Sequence, residues 1–189
     1  MSSNRRAFLV QAVSIAAGLR AVEAVAQQQE QIPTPRARAL MAAFDLKYPI
    51  FQAGIGTVAR PELAIAVSAA GGLGAVGMSG ATAERAEAFV AQVRSGTSRP
   101  FAVNYVLHRY DSSSLPAALD AGAPIIQFAW GIPSAEQVAA IRSRGARFGV
   151  QVGSGMGARR ATDLGADYLI CQGVEAGGHV QATAPLADA

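Results

Sequence analysis

The stretch Ala166-Asp-Tyr-Leu-Ile-Cys-Gln-Gly-Val-Glu-Ala-Gly-Gly-His179 joins a short apolar run to an amide, a glycine loop and a histidine. Tyr168 to Cys171 is typical of a buried strand, and Gln172 places one uncharged amide at its carboxyl end. The glycine pair at 177 and 178 allows the backbone to approach a ligand closely. His179 adds a group that gains or loses a proton near neutral pH. The stretch predicts a strand that ends in a binding loop, although a lone histidine among glycines is more often a surface residue.

The same strand-then-helix pattern recurs along the chain. Helix ends are predicted at Gly122, Gly145 and Gly165, and an apolar strand follows each of them. The spacing between these glycines accommodates one strand and one helix, so the chain contains a weak internal repeat. The predicted strands are 48–52, 73–76, 101–106, 124–128, 147–152 and 168–171.

Helix boundaries and faces are predicted from capping residues and apolar spacing. Thr82 is a candidate N-cap for a helix that ends at Gly96, and Ser134 with Gln137 forms a candidate capping box. Further helices are predicted over 115–121 and 158–164. A helix that begins at Pro61 is expected to bury Leu63, Ala66, Val67 and Ala70.

Strands that alternate with helices run parallel and are buried on both faces, which accounts for their continuous apolar runs. Such units form either an open doubly wound sheet or a (β/α)8 barrel. The segment 54–59 lacks the third glycine of a dinucleotide-binding loop. Uncharged amides near the carboxyl ends of different strands favour the barrel, because those ends converge on one mouth. The predicted fold is therefore an α/β, parallel (β/α)8 TIM barrel, incomplete here, with about six βα units. The four amides are Gln52, Asn104, Gln151 and Gln172.

The N-terminal residues resemble a twin-arginine export signal. Asn4-Arg-Arg-Ala-Phe-Leu9 precedes a mildly apolar segment and Ala24-Val-Ala26, which predicts a signal peptide over 1–26. Residues 27–39 are polar and contain two prolines, so they are predicted to be a linker before a domain over 40–189. The expected location is periplasmic, or cytoplasmic if this interpretation of the N-terminus is wrong.

Composition excludes several classes of function. The formal net charge of +3 does not indicate a nucleic-acid-binding domain. No apolar run is long enough to span a bilayer, so no membrane is expected as a partner of the mature form. The single cysteine, Cys171, excludes an intramolecular disulfide and is expected to be a small core residue. No His, Asp and Glu cluster has metal-ligand spacing, so no metal site is predicted. The other histidine, His108, is expected at the rim of the barrel.

Four amides at one mouth suit a ligand edge of alternating donors and acceptors, because each amide offers both. The pyrimidine rim of a flavin has such an edge. The alternative is that these amides satisfy backbone groups inside the barrel.

Several segments, in order, resemble the nitronate monooxygenase family, formerly called 2-nitropropane dioxygenases. Its members are FMN-dependent (β/α)8 barrels related to the FMN-dependent enoyl-acyl-carrier-protein reductases. Gln172-Gly-Val-Glu-Ala-Gly-Gly-His179 is the most specific match. The others are Tyr48-Pro-Ile-Phe-Gln-Ala53, Pro61-Glu-Leu-Ala64, Ala70-Gly-Gly-Leu-Gly74, Pro100-Phe-Ala-Val-Asn104, Gly131-Ile-Pro133 and Ala166-Asp167.

The resemblance implies FMN as the cofactor and oxidation of a nitronate or nitroalkane with O2. It implies that Asn104 and Gln172 bind the FMN ring, that Gly177 contacts the cofactor through its backbone, and that His179 is the catalytic base. The convergence of strand ends adds Gln151 to the candidate cofactor-binding residues, and the flexible glycine pair adds Gly178.

The sequence differs from the family pattern in three places. Ala53-Gly-Ile55 stands where the family has Ala-Pro-Met, and Phe128-Ala-Trp-Gly131 replaces a more polar segment. Family members also continue for two further βα units, whose glycine-rich loops hold the FMN phosphate. The alternatives are an enzyme like the enoyl-acyl-carrier-protein reductases, one like the NAD(P)H:quinone reductases, and a non-catalytic fragment.

Overall fold

The computed structural model describes residues 33–56 and 58–188. The predicted signal peptide and the first part of the predicted linker lie outside these residues. The chain divides into two compact units, Met1–Ala39 and Leu40–Ala189. The described part of the first unit contains the start of helix α1 (Pro35–Ala43), which begins ahead of the expected start of structure near Leu40. Across the described residues, no helix is long and apolar enough to cross a membrane.

The second unit alternates helices with strands, and all of its strands run parallel in the order β1-β2-β3-β4-β5. The prediction of a parallel α/β fold is therefore confirmed. After α1 the elements are α2 (Pro61–Ala70), β1 (Gly74–Gly77), α3 (Ala83–Gly96), β2 (Phe101–Val106), a 3₁₀ turn (Leu107–Arg109), α4 (Ser114–Asp120), β3 (Ile125–Ala129), α5 (Ala135–Ser143), β4 (Arg147–Val152), α6 (Gly155–Asp163), β5 (Tyr168–Cys171) and a 3₁₀ turn (Leu186–Asp188).

The strand predicted over 48–52 is wrong, because only one parallel bridge, Phe51 to Leu73, forms there. The Leu73 N–H donates to Ile50 O at 2.8 Å, and the Gln52 N–H donates to Leu73 O at 2.8 Å. Beyond that point the Gln52 side chain replaces a strand: Nε2 donates to Ala75 O at 2.8 Å, and Oε1 accepts from Ala75 N at 3.2 Å. A single amide side chain therefore satisfies the edge of β1 where further strand pairing was expected.

Helices α2 to α6 pack on one face of the sheet around a large apolar core, whereas Leu40 and Met41 of α1 pack against a smaller apolar cluster that includes Tyr168. The largest fully buried side chains of the large core include Tyr105, Phe128 and Phe148. The predicted caps are confirmed: Thr82 Oγ1 accepts from the Arg85 N–H at the start of α3, and Ser134 and Gln137 form a reciprocal capping box on α5. These caps satisfy backbone donors that helix geometry leaves unpaired.

The predicted buried face of α2 is wrong. Ala64 and Ser68 are fully buried, whereas Leu63 is 38% exposed. The Ser68 hydroxyl donates to Pro100 O at 2.8 Å and accepts from Gly74 N at 3.1 Å, so a polar residue occupies the position nearest the sheet. A Cβ at Gly74 would lie 2.1 Å from Ala64 O, which shows how closely this helix approaches β1. Small residues, and not large apolar ones, therefore set the contact.

The predicted glycine turns are confirmed, because Gly122, Gly145 and Gly165 all have positive φ, at 92°, 68° and 81°. Helix α6 begins earlier than the predicted start at residue 158. Its N-cap is Ser154, whose Oγ accepts from the Gly157 N–H at 3.2 Å. The glycines at the start of α6 obscured its boundary in the sequence, since glycine is a poor helix former.

Asp167 joins the start of β5 to β4. Its carboxylate accepts from the Phe148 N–H at 2.7 Å and lies 2.9 Å from Arg142 of α5, while its own N–H donates to Phe148 O. One acidic side chain thus connects β4, the start of β5 and the helix that precedes β4.

The other face of the sheet carries a polar layer that lies in register across all the strands. Its members pair Cα to Cα in sequence, strand by strand: Gly77, Asn104, Gln127, Gly149 and Tyr168. The Tyr168 ring lies over Gly149, where an added Cβ would be 2.2 Å from the ring. Edge-to-face contacts with Phe44 and Phe51, at 5.1 Å and 5.4 Å between centroids, hold the ring in place.

We expect Gly149→Ala to lower the free energy of unfolding by about 1–3 kcal/mol, because the new methyl group overlaps the buried Tyr168 ring. Urea denaturation measures this change. Gly155→Ala is the matched control, since the only atom near its added Cβ is an Arg159 nitrogen at 3.9 Å. Equal stabilities for the two variants would contradict the packing described here.

Candidate functional site

The carboxyl ends of the parallel strands meet at one edge of the sheet, where the loops after β1 to β5 lie. Asn104 lies within β2, Gln151 lies near the end of β4, and Gln172 follows β5. The predicted amides therefore come from different strands and share one end of the sheet. Their side chains, however, have different partners.

Asn104 is a buried amide, 4% exposed, whose Oδ1 accepts from Gln127 Nε2 at 2.8 Å. The backbone of Gly54 packs directly against it, since a Cβ at Gly54 would lie 2.4 Å from Asn104 Cβ. This is the segment where the sequence departs from the family's Ala-Pro-Met. Glycine at this position is what allows the loop and the Asn104 side chain to touch.

Gln127 was not identified from the sequence as a site residue. It is buried, it donates to Asn104, and its Oε1 accepts from the Tyr168 hydroxyl at 3.3 Å. The sequence does contain a signal for it, since Gln127 is the single polar residue in the otherwise apolar strand β3. A buried amide needs hydrogen-bond partners, so its position predicts a contact with another polar group.

Gln172 is 8% exposed and holds the loop that follows it. Its Nε2 donates to His179 O at 3.2 Å, and its Oε1 accepts from the Gln181 N–H at 2.9 Å. The side-chain amides of Gln172 and Gln52 therefore hydrogen-bond to backbone groups, which is the alternative to ligand binding raised from the sequence. Each amide of this type retains one further hydrogen and one further lone pair for a ligand.

The loop between Gln172 and His179 is open to solvent. Gly177, Gly178 and His179 are exposed, and Gly178 has a φ of 78°, which favours glycine. A Cβ added at either glycine would meet no atom within 4 Å. The backbone here is accessible to a ligand, and packing within the loop does not determine where His179 lies.

Gln181 is a second residue that was not identified from the sequence. Its Nε2 donates to Gln151 O at 2.9 Å, and its N–H donates to Gln172. The far end of the loop is therefore fastened to the ends of both β4 and β5.

Gln151 is half-buried and borders a cavity of about 270 Å³ at the carboxyl ends of β3 and β4. Ser154 at the start of α6 and Gln181 also line this cavity. All of its lining residues are uncharged, so it offers hydrogen-bonding groups without a formal charge: Gly131, Ile132, Gln151, Val152, Gly153, Ser154, Gly157, Gln181 and Thr183.

The rim of the site carries an aromatic pair. His108 is exposed, and the centroid of its ring lies 5.5 Å from that of Trp130 in an edge-to-face arrangement. Trp130 has a φ of 59°, an uncommon backbone conformation for a bulky residue. The segment 128–131, where the sequence departs from the family pattern, thus gives this rim an aromatic side chain and an uncommon backbone conformation.

The expectation that Cys171 is a core residue is wrong, because its side chain is exposed. It lies on β5, which is an edge strand of the sheet formed by the described residues. Among the described residues, no group of three or more His, Cys, Asp or Glu side chains could hold a metal ion.

The sequence of this chain matches a known protein family. The nitronate monooxygenase family model matches residues 37–118 and 108–188, most of the chain. The chain belongs to the nitronate monooxygenase family. This confirms the resemblance found in the sequence and indicates an oxidoreductase family.

Three related proteins illustrate the range of the similarity. Nitronate monooxygenase from Pseudomonas aeruginosa is 31% identical over 71% of this chain and 49% of its own. (3aS,4S,5R,7aS)-5-hydroxy-7a-methyl-1-oxo-octahydro-1H-indene-4-carboxyl-CoA dehydrogenase from Rhodococcus jostii is 31% identical over 79% of this chain and 41% of its own. The structure of nitroalkane oxidase from Streptomyces ansochromogenes superposes with a TM-score of 0.68, at 32% identity, over 75% of this chain and 51% of that one.

The chain spans about half the length of the curated relatives it matches. The five-stranded parallel sheet is thus consistent with part of a (β/α)8 barrel, as predicted.

We expect Gln181→Ala to release the end of the His179 loop, because it removes the hydrogen bond to Gln151 O. Amide hydrogen exchange should accelerate at residues 179–181 by about threefold or more, as the loss of one hydrogen bond implies. Thr183→Ala is the control, since this exposed residue lies on the same segment. Equal exchange in both variants would show that the Gln181 side chain does not hold the loop.

Proposed function

We propose that the protein is an FMN-dependent oxidoreductase that uses O2 for oxidative denitrification of alkyl nitronates or nitroalkanes. One observation carries the proposal. The exposed glycine loop leads to His179, whose backbone oxygen accepts a hydrogen bond from Gln172 at the carboxyl end of the parallel sheet, in a chain of the nitronate monooxygenase family. An imidazole is suited to take a proton from carbon near neutral pH.

The residues of this edge fit the ring of FMN. The site offers uncharged donors and acceptors, as the pyrimidine rim of a flavin requires, and the exposed backbone at Gly177 and Gly178 allows close approach. Asn104, Gln151 and Gln172 would hold the ring through their amides, and Gly177 and Gly178 through their backbone. FMN, when bound, supplies the electron-accepting chemistry that no side chain provides.

His179 would act first on a neutral nitroalkane. The neutral imidazole takes the proton from the carbon next to the nitro group, which leaves the substrate as a nitronate. A substrate that arrives as the nitronate needs no base. For that substrate His179 would donate a hydrogen bond to the anion and orient it.

A second candidate is a reductase or dehydrogenase that acts on an acyl thioester. The similarity to the carboxyl-CoA dehydrogenase from Rhodococcus jostii favours it. Two assays separate the candidates: NADH oxidation with an enoyl thioester, and oxygen consumption with a nitronate. Turnover in the first assay alone would replace the proposed function with the second candidate.

The third alternative is a non-catalytic fragment without a stable FMN site. The purified chain should be folded, monomeric and yellow if it binds FMN by itself. A colourless aggregate would instead show that this chain alone is no enzyme.

We also propose export to the periplasm by the twin-arginine route, because Arg5 and Arg6 precede an apolar segment and Ala24-Val-Ala26. Replacing both arginines by lysine should retain the unprocessed protein in the cytoplasm. Fractionation followed by mass determination measures this, and unchanged processing of the double variant would contradict the proposal.

We expect His179→Ala to lower kcat with neutral nitroalkanes by about 10²–10⁴-fold, the usual contribution of a general base. FMN content should be unchanged, because the imidazole holds no cofactor in this proposal. His108→Ala is the control, since it removes the chain's other imidazole at the rim. Unchanged nitroalkane turnover in His179→Ala would show that the base assignment is wrong.

A further inference from the structure

Three side chains of the polar layer form a hydrogen-bonded chain with a single direction. The Tyr168 hydroxyl donates to Gln127 Oε1 at 3.3 Å, and Gln127 Nε2 donates to Asn104 Oδ1 at 2.8 Å. All three residues are buried, with exposures of 8% or less. Each side chain donates a hydrogen bond to the next, and this series of hydrogen bonds ends at Asn104.

The tyrosine determines this direction. Burial raises the pKa of the Tyr168 hydroxyl, with a smaller contribution from the negative charge of Asp167, so the hydroxyl keeps its hydrogen. Among the described residues, Gln127 Oε1 is the acceptor for that hydrogen. Turning the Gln127 amide would point its NH2 group at the hydroxyl and leave a buried donor without an acceptor, which is unfavourable.

The direction of the chain fixes the orientation of Asn104. Its oxygen accepts from Gln127, so its Nδ2 is the group left for another partner. No described residue accepts a hydrogen bond from this nitrogen. Unlike Gln172, whose two polar atoms both bind loop backbone, Asn104 keeps its donor available.

We propose that Tyr168 and Gln127 are positioning residues that turn the Asn104 amide so that it presents an N–H donor, and not an oxygen, to the cofactor. The matching ligand atom is a hydrogen-bond acceptor, such as a carbonyl oxygen or an unprotonated ring nitrogen of a flavin. The identity of that ligand rests on the proposed function. The orientation of Asn104 does not.

Gly149 makes this series of hydrogen bonds from Tyr168 to Asn104 possible. Tyr168 is on β5 and Gln127 is on β3, so the ring must cross β4 to reach it. A Cβ at position 149 would lie 2.2 Å from the ring, and only glycine leaves room for this crossing.

Tyr168→Phe tests the proposal, because it removes only the hydroxyl that sets the direction. In the cofactor-free protein, the side-chain amide resonances of Asn104 and Gln127 should both shift in ¹H–¹⁵N spectra, although Asn104 shares no hydrogen bond with Tyr168. The affinity for FMN should fall by about three- to tenfold, as one misdirected hydrogen bond implies.

Tyr105→Phe is the matched control. Its hydroxyl is also buried and donates to Ser114 O at 3.0 Å, but it lies in the core between the sheet and the helices. Tyr105 is next to Asn104 in the sequence. A general effect of removing a buried hydroxyl on the Asn104 resonances would therefore be at least as large in Tyr105→Phe as in Tyr168→Phe. We expect the Asn104 side-chain resonances and the FMN affinity to be unchanged in it.

Gln127→Met provides a second, independent variant, since it keeps the length of the side chain and removes both polar atoms. It should also shift the Asn104 resonances and weaken FMN binding. Asn104 resonances that stay the same in Tyr168→Phe, or that shift equally in Tyr105→Phe, would overturn the positioning role. Absence of FMN binding by the wild-type protein would instead overturn the proposed function, while the resonance shifts would still establish the orientation of Asn104.

Discussion

The parallel register of the sheet is the constraint on which the site depends. It aligns one residue from each strand in a single layer, so Asn104, Gln127 and Tyr168 come together from separate strands. The layer works only because Gly149 carries no side chain. A slip of one residue in β2, β3 or β5 would move its member to the opposite face and place a polar group in the apolar core. Burial of that core therefore also fixes the polar layer.

Uncharged amides replace backbone pairing at several places around this sheet. Gln52 bonds both backbone groups of Ala75 beyond the last bridge of the first segment, and Gln172 does the same for the loop after β5. A carboxamide has the same donor and acceptor as a peptide group, so it can continue a ladder where the chain turns away. This explains why amides recur at strand ends, independently of any ligand. Proximity to the mouth alone is therefore weak support for a binding role.

The sequence predicted the repeat, the parallel sheet and the helix caps, because each leaves a local pattern of apolar runs, glycines and capping residues. It failed where one long-range contact overrides that pattern. Ser68 is buried because its hydroxyl bridges two backbone groups, Pro100 O and Gly74 N. Gln127 donates to Asn104, 23 residues away, and Gln181 donates to Gln151, 30 residues away; no spacing rule identifies such partners. The convergence of Asn104, Gln151 and Gln172 from different strands was thus predictable, but their hydrogen bonds were not.

The two sides of the site are held by different means. Asn104 belongs to a buried layer whose geometry follows from strand pairing and close packing, so it presents a preset donor. His179 follows two exposed glycines that make no close contacts, and the side chain of Gln172 hydrogen-bonds to the backbone at His179 and Gln181. Catalysis by a base requires both close approach of the substrate and accurate placement. If His179 is the base, as proposed, the glycines would allow the approach, and the side chains of Gln172 and Gln181 would hold the loop backbone that carries it.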